Sequence, residues 1–300
     1  MLSYVLAISL MPSIALMVYV YKKDRCEKEP LKLLALLFGV GVFSCIPAII
    51  CELVFDSVNT NLFKIIGSSA AQEDLGKNII YQFVDNFLGV ALFEEFFKWL
   101  FMYLVTRKNK NFDSLFDGIV YAVFVSMGFA SFENIFYVLE GGLSTAAIRA
   151  VTSIPGHMFF GVFMGYYYGQ WHLQKVASDY EKIYAKCGLI TIKPPAFSGG
   201  KYMALCLIVP ILFHGFYDFC LSVDSALFNL VFFIFLIFLY IKSFSTIKKM
   251  SASDIADHKV VTGILYNKYP ELIQIHANSN YNQQINMHNQ QTDYFYHLRR

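Results

Sequence analysis

The sequence predicts an all-α polytopic transmembrane bundle of about seven spans, with the N-terminus outside and the C-terminus cytoplasmic. Three observations predict it. Of 300 residues, 56% are hydrophobic and only 15% are charged, at a mean hydropathy of +0.48. A soluble domain carries about 25% charged residues and cannot bury so much apolar surface. The apolar residues also gather in runs of about 20, the length a helix needs to cross the hydrocarbon layer. Finally, lysine and arginine concentrate in alternate connections between those runs, the bias that orients spans with their basic loops inside.

Residues 2–20 form the first run, with no basic residue before it and Lys22, Lys23, Arg25 and Lys28 directly after it. A cleavable signal peptide carries its charges on the other side, so this reads as a retained span. The second span, Leu31 to Leu53, contains Pro47, whose missing hydrogen bond neighbouring helices can restore. Residues 54–78 mix Asp56, Lys64, Glu73, Asp74 and Lys77 with short apolar pieces and read as an outside loop. Span three is Tyr81 to Val105 and span four is Gly118 to Leu139. The turn Glu140-Gly141-Gly142 leads to span five, Ala146 to Gln170, then to a polar loop from Trp171 to Lys201. Span six is Tyr202 to Leu221 and span seven is Ala226 to Ile241.

Basic residues recur after spans one, three, five and seven, whereas the opposite connections hold only Lys64, Lys77 and Arg149. Residues 1–250 therefore read as one transmembrane domain. Residues 251–300, rich in Asn, Gln, His and Tyr, read as a disordered cytoplasmic tail that lacks the apolar surface to fold alone. The 6 cysteines fall in spans or inside loops, so disulfides are not expected.

Span three holds the chain's most costly feature. Glu94, Glu95 and Lys98 lie within an otherwise apolar and aromatic run, and each charge at a helix centre costs roughly 2.5–3.5 kcal/mol on insertion scales. On a helix Glu94 and Lys98 share a face at i,i+4 and Glu95 reaches Lys98 at i,i+3. Pairing one carboxylate with the lysine would leave the other free. At about 1.5 Å of rise per residue, Glu94 lies roughly 20 Å, His157 16 Å, His214 12 Å and Glu133 9 Å from the outer span ends. Four helices thus offer carboxylates and imidazoles at similar depth, with Lys98, Asn134 and Asp218 beside them.

Each residue alone has a plainer reading. Glu94 with Lys98 suits a structural ion pair, and a lone intramembrane histidine suits a hydrogen bond across a helix interface, worth about 0.6 kcal/mol. Gly161, Gly165 and Gly169 read as a packing seam rather than chemistry. Four separate decorations at one depth are less economical than one buried polar site. Such a layer can hold and deprotonate a water for attack on a carbonyl, with an imidazole or the Asn134 amide facing the oxyanion. Two histidines and a glutamate equally suit a divalent metal such as zinc, with another glutamate as base. The zinc-protease signature His-Glu-x-x-His is absent, so metal and metal-free hydrolysis both stay open.

Glu94-Glu95-x-x-Lys98, Phe129-x-x-x-Glu133-Asn134, His157-x-x-x-Gly161 and His214-x-x-x-Asp218, in this order on successive spans, resemble the PrsW family of intramembrane proteases. That family is distantly similar to the CAAX prenyl endopeptidases and their bacterial relatives. The resemblance implies a multi-pass cell-membrane endopeptidase that cuts a membrane-anchored protein, in the best-known cases an anti-sigma factor. It implies Glu94, Glu95, Glu133, His157 and His214 as the catalytic set, with Lys98 and Asp218 in support. The expected partners are that substrate and the lipid bilayer, with no nucleic acid. Two other classes need similar groups: a proton- or ion-coupled transporter and a non-enzymatic membrane scaffold. No internal repeat of the transporter kind stands out in the chain.

Overall fold

The computed structural model describes residues 2–66 and 75–277, and among them the chain is helical with no strand. Helix α1 is Leu2–Lys23. Helix α2, Leu31–Ile66, runs well past the expected boundary at Leu53 and takes in residues 54–66, which had the composition of a loop. Its polar residues bond along the helix instead: Thr60 Oγ1 donates to Asp56 Oδ1 at 3.3 Å and Asn61 Nδ2 to the Ser57 carbonyl at 2.8 Å. Glu73 and Asp74, assigned to the same loop, lie outside the described residues.

The third predicted span is not one regular helix. A 3₁₀ turn, Leu75–Lys77, precedes α3, Ile79–Val84, whose N-terminus is capped by the Asn78 side chain accepting from Ile80 and Tyr81 N–H. A π-helical turn, Asp85–Ala91, then leads directly into α4, Leu92–Thr106. Such turns occur inside α-helices and recur at functional sites.

Helix α5, Leu115–Val151, starts on a capping box in which Ser114 and Asp117 satisfy each other's backbone N–H groups. It breaks at Gly142, where φ of 69° falls in the region glycine tolerates. The turn therefore sits where the sequence placed it. Helix α6, Ser153–Lys186, carries Pro155 in its first turn, where the absent N–H costs nothing. It continues beyond Gln170 into the segment expected as a polar loop. Helices α7, Gly200–Ser222, and α8, Ala226–Ala252, follow.

The chain divides into two compact units, 1–172 with 199–256, and 173–198 with 257–300. In the first, α5 is the buried centre, with Ile119 to Val123 fully inaccessible, and it packs against α1 and α2. Glycines set the closest approaches. A Cβ on Gly118 would meet the Gly165 carbonyl oxygen at 2.5 Å, and one on Gly165 would overlap the Gly118 carbonyl. The seam read from Gly161, Gly165 and Gly169 is thus the α5–α6 contact.

In the second unit, α9 (Asp257–Lys268) and α10 (Glu271–Ala277) occupy part of the segment that reads as a disordered tail. Val261, Leu265, Tyr269 and Leu272 are buried at helical spacing. Glu181 accepts from Lys268 Nζ at 2.7 Å and from the Tyr269 hydroxyl. Four apolar side chains among Asn, Lys and His were too sparse to stand out as a period. Residues 278–300 lie outside the described residues.

This is a helical membrane protein. Among the described residues, four stretches are long and apolar enough to cross a bilayer: Leu31–Ile65, Leu115–Lys186, Gly200–Ser222 and Ala226–Ala252. Their outward faces are apolar as well: Leu227, Leu230, Phe233, Ile234, Ile237 and Ile241 of α8 are all exposed. Water would not tolerate that stripe; lipid does.

Candidate active site

Three elements bring the polar residues together. On α4, directly after the π-helical turn, Glu94, Glu95 and Lys98 share the buried face. On α6, His157 comes one turn after the start of the helix, above Gly161, whose missing side chain lets α5 approach. On α7, Gly215 permits the ring of Phe87 in the π-helical turn to lie where a Cβ would be 2.6 Å from it. That close approach carries the preceding residue, His214, against α4.

Lys98 is the hub. Its Nζ donates to Glu94 Oε2 at 2.9 Å and Glu95 Oε1 at 2.8 Å, and lies 3.2 Å from His157 Nδ1. It also sits 4.0 Å above the ring of Phe129, a cation–π contact strengthened by desolvation. An ammonium only donates, so His157 Nδ1 accepts and its proton is on Nε2. That Nε2 lies 2.8 Å from Glu133 Oε2, which also pairs with an Arg149 guanidinium nitrogen at 3.1 Å.

His214 is flanked by carboxylates on both nitrogens, Nδ1 at 2.9 Å from Glu95 Oε1 and Nε2 at 3.1 Å from Asp218 Oδ2. The Nδ1 contact has hydrogen-bond geometry and the Nε2 contact is an ion-pair distance, so the ring is placed to hold a proton between two carboxylates. Phe160 stacks on it at 4.8 Å between centroids. The two imidazoles lie 5.3 Å apart, edge to face.

The sequence pattern left one carboxylate unpaired, but the ammonium engages both. Glu95 Oε2, fully buried in the layer, has no hydrogen-bond partner among the described residues. Of the predicted set, Glu94, Glu95, Lys98, Glu133, His157, His214 and Asp218 form one connected network. Asn134 reaches it through Arg149: its amide donates to the Ser9 carbonyl at 3.0 Å and its oxygen accepts from Arg149 Nε at 2.8 Å. Asn134 therefore braces α1 and Arg149. Arg149 is the residue sequence reasoning missed. It was counted only as a loop cation, although an arginine in the apolar run 143–152 needs a buried partner.

A family model described as PrsW family intramembrane metalloprotease matches residues 29–242, which include every residue of this network. The chain belongs to the PrsW family. It is 32% identical over 257 residues to Protease PrsW of Oceanobacillus iheyensis, covering 84% of this chain and 98% of the relative. It is 33% identical over 210 residues to Protease PrsW of Geobacillus kaustophilus, covering 70% and 76%. It is 29% identical over 238 residues to Protease PrsW of Bacillus subtilis, covering 79% and 90%. No solved structure matches significantly. The protein is an intramembrane protease, as the motifs and their order led one to expect.

The family description implies a metal, and the residues fit one. Glu94, Glu95, His157 and His214 each bring a donor atom within 4.8 Å of the others, all four buried. Both imidazoles are backed at Nε2 by a carboxylate, Glu133 and Asp218, the outer-shell pairing that orients histidine ligands. Lys98 Nζ lies among the same donors, so a dication and the ammonium compete for one place.

Proposed function

We propose that this chain hydrolyses a peptide bond of a membrane-anchored protein, of which an anti-sigma factor is one example, at the Glu94–Glu95–His157–His214 layer of a seven-span bundle in the cell membrane. The observation that carries this is Glu95 Oε2, a fully buried carboxylate oxygen with no hydrogen-bond partner among the described residues, set in a network of ion pairs. Glu95 Oε1 is held by Lys98 and His214, so Oε2 is fixed in direction and free to accept a proton from a water. A general base so placed contributes roughly 10²–10⁴-fold. His214, protonated at Nδ1 toward Glu95, can return that proton to the leaving amine. Lys98 offsets the charge of the two glutamates. Glu133, braced by Arg149, holds the His157 ring with Nδ1 facing the layer. A divalent cation held instead by Glu94, Glu95, His157 and a His214 without its Nδ1 proton would take the place of the Lys98 ammonium and supply Lewis acidity there.

Named proteases among the relatives support protein as the substrate class. The test is purified protein in lipid with single-span protein substrates, with and without chelator. Glu95→Gln keeps the shape of the side chain and removes its basicity, so cleavage should fall by a factor of at least about 100 while the protein still accumulates in membranes. Loss on chelation and recovery with zinc would assign the metal. Unchanged cleavage in Glu95→Gln would remove this assignment.

A further inference from the structure

Glu52 is an ionisable residue near the catalytic layer that the mechanism does not use. It lies on α2 within electrostatic reach of Glu94, Lys98, His214 and Glu133, and its buried Oε1 has no hydrogen-bond partner. It lines a cavity of about 210 Å³ between α2 and the π-helical turn. Helix α2 contributes Ile49, Glu52, Leu53 and Asp56, one face at i, i+3, i+4 and i+7 spacing, and the turn contributes Asp85, Gly89 and Val90. The wide π turn and the bare Gly89 shape the wall: a Cβ at Gly89 would meet Phe55 at 2.9 Å and Asp85 Oδ1 at 3.1 Å.

Two properties of this cleft point to its occupant. Its mouth opens on a lipid-type surface, with Ile49, Ile50, Leu53, Val54 and Leu88 exposed around it. Its polar lining is entirely acidic, with three carboxylates and no lysine or arginine. Asp56 accepts from the Tyr81 hydroxyl at 3.0 Å and Asp85 from Asn59 Nδ2 at 3.5 Å. Neither of these contacts brings a positive charge.

We propose that this cleft admits the substrate's membrane-anchored segment, and that Glu52, Asp56 and Asp85 select a lysine or arginine of that segment beside the bond to be cut. An apolar stem with a cationic head matches apolar walls with an acidic lining, as long basic side chains do at membrane interfaces. The lipid-facing mouth gives a tethered chain a lateral way in. The inference rests on the protease reading of the layer and adds where the chain enters and what charge it carries.

The test uses the full-length protein in lipid nanodiscs and single-span substrates identical except for Lys, Gln or Glu at one position, scanned along the segment next to the cut. Wild type should prefer a Lys substrate at one position by about tenfold in kcat/KM, carried by KM, the size expected of one charge-assisted hydrogen bond. Asp85→Lys should reverse the preference toward Glu, and Glu52→Gln should weaken it. A photo-crosslinker at Leu53 should capture the Lys substrate, while one at Ile237 on α8 should not. Equal rates for all three substrates, or crosslinks at Leu53 only to lipid or to a second copy of the chain, would overturn the proposal. If Asp85→Lys fails to accumulate, the Glu52→Gln rates and the Leu53 crosslink still decide. Capture at Leu53 without any cleavage by wild type would sustain the docking site and count against the hydrolytic layer instead.

Discussion

At the scale of single residues, Lys98 and Glu95 divide the work of the layer between holding charge and leaving one atom free. Lys98 is fully buried against two carboxylates. Removing one partner of a buried pair leaves uncompensated charge and costs about 3–5 kcal/mol. Lys98→Met should therefore lower thermal stability in detergent by about that amount. Adding Glu94→Gln should recover part of the loss, a coupling that a double-mutant cycle measures. Additive losses would show that Lys98 and Glu94 do not interact. Much of this was legible in the sequence, because Glu94, Glu95 and Lys98 sit on one helix and i,i+4 spacing alone puts them together. The His214–Asp218 contact followed from i,i+4 spacing on one helix, and similar depth put Glu133 and His157 in one layer. The place of Arg149 did not, because it follows a break at Gly142 whose direction no local pattern sets. Asn134 stands in support of Glu133 through Arg149 rather than beside it, because one step along a helix turns a side chain by about 100°.

At the scale of elements, the π-helical turn and the glycine seam decide which faces meet. The turn from Asp85 to Ala91 carries a wider winding than an α-helix. Deleting Gly89 should restore regular α-helix there, with α3 and α4 nearly in rotational register, and remove the wide wall that faces α2. The carboxylates of α4 would then keep their contacts while the α2 cleft loses the width of its π-helical wall. Cleavage should collapse with the α4–α6 pairs intact, which activity and a Lys98–His157 proximity probe read separately. Along the seam, Gly165→Val pushes a branched side chain into the Gly118 backbone. It should destabilise by about 1–3 kcal/mol or more, as overpacking does, seen as a lower melting temperature. The seam was readable because small residues every fourth position announce a close helix contact. The π turn was not, since Asp85-Asn86-Phe87-Leu88-Gly89-Val90-Ala91 has no composition that separates it from α-helix.

At the scale of the whole molecule, the bundle carries a second set of ionisable groups in the connection between α1 and α2. Burial pushes the Glu29 carboxyl up to about 8 and that of Asp24 up to about 6. Glu29 Oε1 accepts from the Tyr121 hydroxyl at 2.8 Å, and the Asp254 carboxylate bonds the N–H groups of Arg25 and Cys26. A carboxyl with a raised value favours the fold when protonated. Its contribution is complete below its ordinary value of 4.5 for Glu29 and is lost as pH rises through about 8. The melting temperature should therefore fall between about pH 5 and 8.5, and Glu29→Gln should flatten that slope. A flat wild-type profile would contradict the assignment. The bundle itself was the most legible feature of all, because low charge and long apolar runs fix it without any tertiary detail. Helix ends were least legible, since α2, α6 and α8 each continue through polar residues beyond their apolar runs.

The break at Gly142 has a consequence for how the protein enters the bilayer. It returns Arg149 to Glu133 within one stretch of chain, while Lys98 offsets one of the two negative charges of Glu94 and Glu95 within a single helix. Each half of the future site is thus close to electrically matched before it meets the other. Nascent segments can leave the insertion machinery with most of their ions already covered, and the long-range contacts of His157 and His214 only need to zip two prepared halves together.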